Sequence, residues 1–139
     1  MLARYEVEAF LRITAREYAF QTATAPAPLA LPGETMKVTG KEYASIVSAT
    51  GKSVVNFSAG WCPDCNVVSA IYGHLSGTLA KDISFFEVDV DEEPELEKAQ
   101  GVKRIPTFIF FEDGKEVERF HEPSPKELAE RILRFAGKA

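Results

Sequence analysis

Apolar and polar positions along this chain follow two periods, and the switches between them mark out its elements. Met36 to Thr39 is a short apolar-polar run, followed by a helical stretch from Lys41 to Ala49. Ser53-Val-Val-Asn-Phe-Ser58 predicts a strand that gives way at Gly60, where the backbone is free to turn. Residues 63 to 80 predict a helix with apolar positions Val67, Val68, Ile71, Leu75 and Leu79. Gly73 and Gly77 weaken that helix and mark the place for a kink. Ile83 to Val90 predicts a second buried strand, and Pro94 to Gln100 a short helix. Thr107-Phe-Ile-Phe-Phe111, the Asp113-Gly114 turn and Lys115 to Phe120 make a hairpin signature. Ser124 caps a last helix with Pro125 at its first position, and Leu128, Ile132, Leu133 and Phe135 are its inward residues. Strands alternating with helices, then a hairpin and a helix, predict an α/β domain whose central sheet is mixed.

The first thirty-three residues follow another pattern. Residues 2 to 20 show helical periodicity, with Val7, Phe10, Leu11, Thr14 and Tyr18 on one stripe. The segment from Thr22 to Gly33 holds three prolines and no charge, which predicts an extended, semi-rigid strap. The chain therefore divides into an N-terminal amphipathic helix with a Pro/Ala-rich strap, residues 1–33, and an α/β domain, residues 34–139. The apolar stripe would be wet unless packed, so it is expected to dock on the domain's own surface, away from Cys62.

Composition narrows the function. With 139 residues, 45% hydrophobic and 27% charged, a core can be stable without cross-links. The two cysteines are therefore not required to hold the fold. The net charge of −5 lies entirely outside the extension, and no basic cluster offers a phosphate-binding surface, so nucleic acid is not an expected partner. No segment supplies the roughly 20 uncharged residues of a membrane helix, and charges from Arg4 to Glu17 break up any secretory apolar core. The expected location is the cytoplasm.

The chemistry-bearing string is Trp61-Cys62-Pro63-Asp64-Cys65, which follows a strand and opens a helix. There Cys62 lies near unpaired backbone N–H groups and the positive end of the helix dipole, both of which favour negative charge on sulfur. Cys65, one turn on, lies within reach, so the pair can cycle between dithiol and disulfide, Cys62 attacking from the exposed helix start and Cys65 resolving. A Cys-x-x-Cys pair can also be half of a zinc site. Only His74 and His121 could complete it, and neither has ligand spacing, so no metal is expected. The acidic run from Asp89 to Glu93 is expected to be a solvated loop, and Phe108, Phe110 and Phe111 are expected to be sheet core.

Three separated motifs together resemble the thioredoxin family. They are Val54-Val-Asn-Phe-Ser-Ala-Gly-Trp-Cys-Pro-Asp-Cys65, Glu87-Val-Asp-Val-Asp91, and Gly101-Val-Lys-Arg-Ile-Pro-Thr107 with the Asp113-Gly114 hairpin. Their order and spacing agree over about residues 34 to 139. The resemblance implies a thioredoxin fold, a central mixed sheet flanked by helices, here with an extra N-terminal helix. It implies that Ile105–Pro106 is a cis peptide facing the cysteine pair, and that this backbone forms the substrate groove and keeps metal off the thiolates. It also implies substrates that are disulfide-containing proteins or small thiols, and an electron donor of the thioredoxin-reductase or glutathione type, with no bound cofactor.

This chain departs from the family pattern at three places. Pro63-Asp64 stands where ordinary thioredoxins have Gly-Pro, and thioredoxin-related proteins with Trp-Cys-Pro-Asp-Cys are known in the cytosol. Asn56 stands where the family has a buried aspartate, and an amide cannot accept a proton. Glu87 stands where the family places that aspartate's lysine neighbour, which makes Glu87 the candidate proton acceptor for Cys65 and Asn56 its support. The competing reading is that both are satisfied polar groups beneath the helix. The expected function is a thioredoxin-like protein-disulfide reductase, a role in cell redox homeostasis. The alternatives are a redox-switched interaction module without efficient turnover, or an exported oxidant or isomerase.

Overall fold

The computed structural model describes residues 35–138, so the expected N-terminal helix and strap lie outside the described residues. Among these residues five strands and four helices follow in this order: β1 (Thr35–Lys37), α1 (Gly40–Val47), β2 (Lys52–Ser58), α2 (Pro63–Thr78), β3 (Ile83–Asp89), α3 (Pro94–Ala99), β4 (Thr107–Glu112), β5 (Lys115–His121) and α4 (Pro125–Phe135). The strands form one sheet in the order β1-β3-β2-β4-β5. β3 is parallel to β1 and β2, whereas β4 is antiparallel to β2 and β5, so the sheet is mixed as expected. Element ends differ from the expected ones by at most two residues, the usual fraying of boundaries.

Local chemistry explains the elements. Ser124 accepts the Glu127 N–H at 3.1 Å and starts α4, with Pro125 at its first position. Asp113 and Gly114 both have positive φ, 51° and 84°, which is the backbone a two-residue hairpin turn needs. α2 runs unbroken from Pro63 to Thr78, so Gly73 and Gly77 do not kink it. Its buried residues Val68, Ile71, Tyr72 and Leu75 hold it to the sheet, which outweighs a glycine cost of about 1 kcal/mol each.

Each face of the sheet carries its own apolar cluster. On one side α2 and α4 cover Val54, Phe85, Phe108 and Phe110; Leu128, Ile132 and Leu133 from α4 are fully buried there. On the other side Tyr43 of α1 and Leu96 of α3 pack with Phe57, Val88, Ile109 and Phe111. Side chains alternate along a strand, so Val54, Asn56 and Ser58 of β2 share the α2 face, as do Phe85, Glu87 and Asp89 of β3. Two polar residues, Asn56 and Glu87, are thereby placed side by side under α2 as register partners. Among the described residues no helix is long and apolar enough to cross a membrane.

Candidate active site

The chain leaves the carboxyl end of β2 at Ser58 and reaches α2 within four residues. That end of a parallel strand pair is where open α/β sheets expose ligand sites. Cys62 is the cap residue of α2, with extended backbone at φ −82° and ψ 117°. Its Sγ accepts the backbone N–H of Cys65 at 3.2 Å, one of the donors a helix start leaves without an intrahelical partner. Pro63 occupies the first helical turn, where its missing N–H costs nothing. Both cysteines are free thiols.

Cys62 is not on the surface, as its place at the helix start suggested. Both cysteines are only 4% exposed and belong to the apolar cluster with Phe57, Val88 and Val90. The Cys62 thiol donates to the carbonyl oxygen of Ile105 at 3.8 Å. Burial pushes the Cys65 thiol up to about 12, reinforced by its hydrogen bond to Cys62 and by the charges of Cys62 and Asp64. A backbone contact to Ala59 opposes that shift.

Around the pair the expected residues converge. The Ile105–Pro106 peptide is cis and faces Cys62; Pro106 is buried and Ile105 half-buried. The Pro106 carbonyl accepts the Glu122 N–H at 2.8 Å, which anchors this loop to the end of β5. Asp64 is exposed on the first turn of α2. Trp61 is 66% exposed, yet its indole Nε1–H donates to Asp91 Oδ2 at 2.8 Å. Asp91 is held in turn by its own N–H on Asp89 Oδ1 at 2.9 Å. The acidic run after β3 is therefore partly structural, an anchor that charge patterning alone could not reveal.

Behind Cys65 lies a cavity of about 290 Å³, lined by Thr35, Asn56, Cys65, Ser69, Tyr72 and Glu87 among others. Asn56 is 4% exposed, and its Oδ1 has no hydrogen-bond partner. Thr35 Oγ1, at the same cavity, has none either. Asn56 is therefore not a satisfied polar group beneath the helix, since buried amide oxygens are normally paired. The Tyr72 hydroxyl donates to the Phe86 carbonyl at 2.7 Å, and burial raises its pKa well above the usual range. The histidines lie elsewhere: His121 is exposed beside Glu122, and His74 is half-buried on α2 with its pKa lowered by burial. Among the described residues no group of three or more histidine, cysteine or acidic side chains could hold a metal ion.

A family model, Thioredoxin, matches residues 34–134. The chain belongs to the thioredoxin family. It is 33% identical over 84 residues to Thioredoxin H4 of Arabidopsis thaliana, covering 60% of this chain and 71% of that protein. It is 32% identical over 85 residues to Thioredoxin of Malassezia sympodialis, covering 60% and 81%. It matches Thioredoxin-like protein 1 of Schizosaccharomyces pombe at 31% identity over 100 residues, which is 71% of this chain but only 34% of that longer protein. The solved thioredoxin of Plasmodium falciparum superposes with a TM-score of 0.67 at 30% identity, over 72% of this chain and 98% of that one. The protein is thus a thioredoxin-like redox protein.

Proposed function

We propose that this thioredoxin-family protein is a thiol–disulfide oxidoreductase that reduces disulfides of proteins or small molecules by cycling Cys62 and Cys65 between dithiol and disulfide. The observation that carries the reading is the 3.2 Å contact from the Cys65 N–H to Cys62 Sγ. It holds Cys62 Sγ at the helix start with Cys65 one turn on, the spacing that lets two thiols close to a disulfide and reopen.

In the first step the Cys62 thiolate attacks one substrate sulfur, and the other leaves with the electron pair. In the second, Cys65 attacks Cys62 Sγ and releases the reduced substrate. The Ile105–Pro106 backbone opposite Cys62 lines the groove for the substrate chain, with exposed Trp61 beside it. Pro63 fixes the helix start and Asp64 adds a charge at its rim. A thioredoxin-reductase-type or glutathione-type donor then returns two electrons to the Cys62–Cys65 disulfide. The test is turnover of a model protein disulfide with a thioredoxin reductase and its nicotinamide nucleotide. Sustained nucleotide consumption that vanishes in Cys62→Ser is the expected result. One stoichiometric exchange without turnover would instead fit a redox-switched binding module.

A further inference from the structure

The two thiols do not share one environment. Both are buried, but Cys62 accepts a backbone N–H, whereas burial and the hydrogen bond with Cys62 make Cys65 hold its proton tightly. Yet Cys65 must lose that proton to attack the mixed disulfide. Its neighbours across the cavity decide where the proton goes.

Only a few groups line that space. Asn56 has no basic lone pair to offer, and the Tyr72 hydroxyl spends its proton on the Phe86 carbonyl. Asp64, the carboxylate next to the pair in sequence, is exposed and does not line the cavity. Glu87 is the one carboxylate among the described residues that does. At about 290 Å³ the space is many times what a single water needs, and Thr35, Asn56, Ser69 and Glu87 give it polar groups to hold one. The unpartnered oxygens of Asn56 and Thr35 are acceptors that would hold water there.

We propose that Glu87 is the general base of the resolving step, taking the Cys65 proton through water that Asn56 Oδ1 holds in the cavity. The proposal rests on the Cys62–Cys65 cycle. The step balances: the proton passes from Cys65 Sγ through water to the Glu87 carboxylate. The Cys65 thiolate then forms a bond to Cys62 Sγ as the bond from Cys62 to the substrate sulfur breaks. The electron pair leaves on that substrate sulfur, which is protonated from solvent, and Glu87 returns its proton to water. The other charged or titratable groups around Glu87 are Lys37, its register partner on β1, Asp89 on the same face of β3, and Tyr72 from α2. A carboxylate under this helix thus works from β3, while the β2 position opposite contributes only an amide.

The experiment is stopped-flow oxidation of the reduced full chain by a symmetrical chromogenic aromatic disulfide. The first thiol released reports attack by Cys62, and the second reports resolution by Cys65. Glu87→Gln is expected to slow the second phase about a hundredfold near neutral pH and to leave the first within about twofold. Its second phase should also rise about tenfold per pH unit, because hydroxide must now do the work, while the parent profile stays nearly level above neutrality. A swapped variant, Asn56→Asp with Glu87→Gln, keeps one carboxylate and one amide in the cavity and should recover a fast, level second phase. A second phase in Glu87→Gln equal to the parent's, or uniformly slower with the parent's pH profile, would overturn the assignment. So would a steep profile in the swapped variant. Absence of a first phase in the parent would instead overturn the Cys62 cycle itself.

Discussion

The indole N–H of Trp61 and the Asp91 carboxylate lie 2.8 Å apart, joining the residue before Cys62 to the loop that follows β3. A side chain 66% exposed would otherwise rotate freely at the mouth of the site. The contact fixes an aromatic face directly before Cys62 in the chain.

Trp61 is the protein's single tryptophan, so its fluorescence reports this contact alone. Asp91→Ala should lower Trp61 fluorescence anisotropy and slow protein-disulfide reduction about threefold, through looser positioning of the substrate. Asp91→Asn retains an acceptor oxygen and should remain close to the parent in both. Equal anisotropy in Asp91→Ala and the parent would show that packing, not the hydrogen bond, holds the ring.

The two thiols should differ sharply in reactivity. With the Cys65 thiol pushed up to about 12, only about one molecule in a thousand carries that thiolate at pH 9. Timed alkylation with iodoacetamide, read by peptide mass spectrometry, should label Cys62 long before Cys65. The same shift has a sign for stability. The folded value lies above the ordinary thiol value of 9.0, so the fold favours the protonated form. The resulting stability is complete below about pH 9 and is lost as pH rises toward 12. Denaturant midpoints of the dithiol form should fall across that window, and fall less in Cys65→Ala.

Opposing charges set the redox poise. A helix start favours negative charge, whereas an acidic residue in its first turn, here Asp64 of α2, opposes it. The expected potential of the Cys62–Cys65 couple is about −200 to −270 mV, between glutaredoxin and thioredoxin values. Equilibration with glutathione buffers measures it. A value close to about −120 mV would mark an oxidant and reverse the direction of electron flow.

Gly114 offers a control far from the thiols. Its φ of 84° disfavours any side chain, and a Cβ there would meet the Ser48 carbonyl oxygen at 3.3 Å. Gly114→Ala should destabilise the protein by about 1–2 kcal/mol in thermal or denaturant unfolding. Disulfide reduction by the folded protein should be unchanged.

Much of this was legible in the sequence because it depends on short-range chemistry. The Asp113-Gly114 turn, the Ser124 cap and the short β-branched and aromatic runs of β2, β3 and β4 each specify their structure locally. The Trp61–Cys65 string and Pro106 were readable for the same reason, and the family's spacing placed them against each other. Burial of Cys62 was not readable, because it depends on packing between distant segments, Ile105 at 43 residues' separation among them. Nor was the Trp61–Asp91 bond, which spans 30 residues. The motif alignment put Asn56 beside Glu87, but the cavity between them and Cys65 depends on how α2 sits over β1, β2 and β3.

The measurement that tests the Cys62–Cys65 cycle most directly is trapping of the mixed disulfide. Cys65→Ser, mixed with a disulfide-containing protein substrate and quenched with acid at successive times, should accumulate a covalent adduct linked through Cys62 in peptide mass spectra. Cys62→Ser should form almost none over the same interval, because the Cys65 thiol keeps its proton. Adduct formation through Cys65 in Cys62→Ser, at the speed seen through Cys62 in Cys65→Ser, would contradict the assignment of nucleophile and resolving thiol.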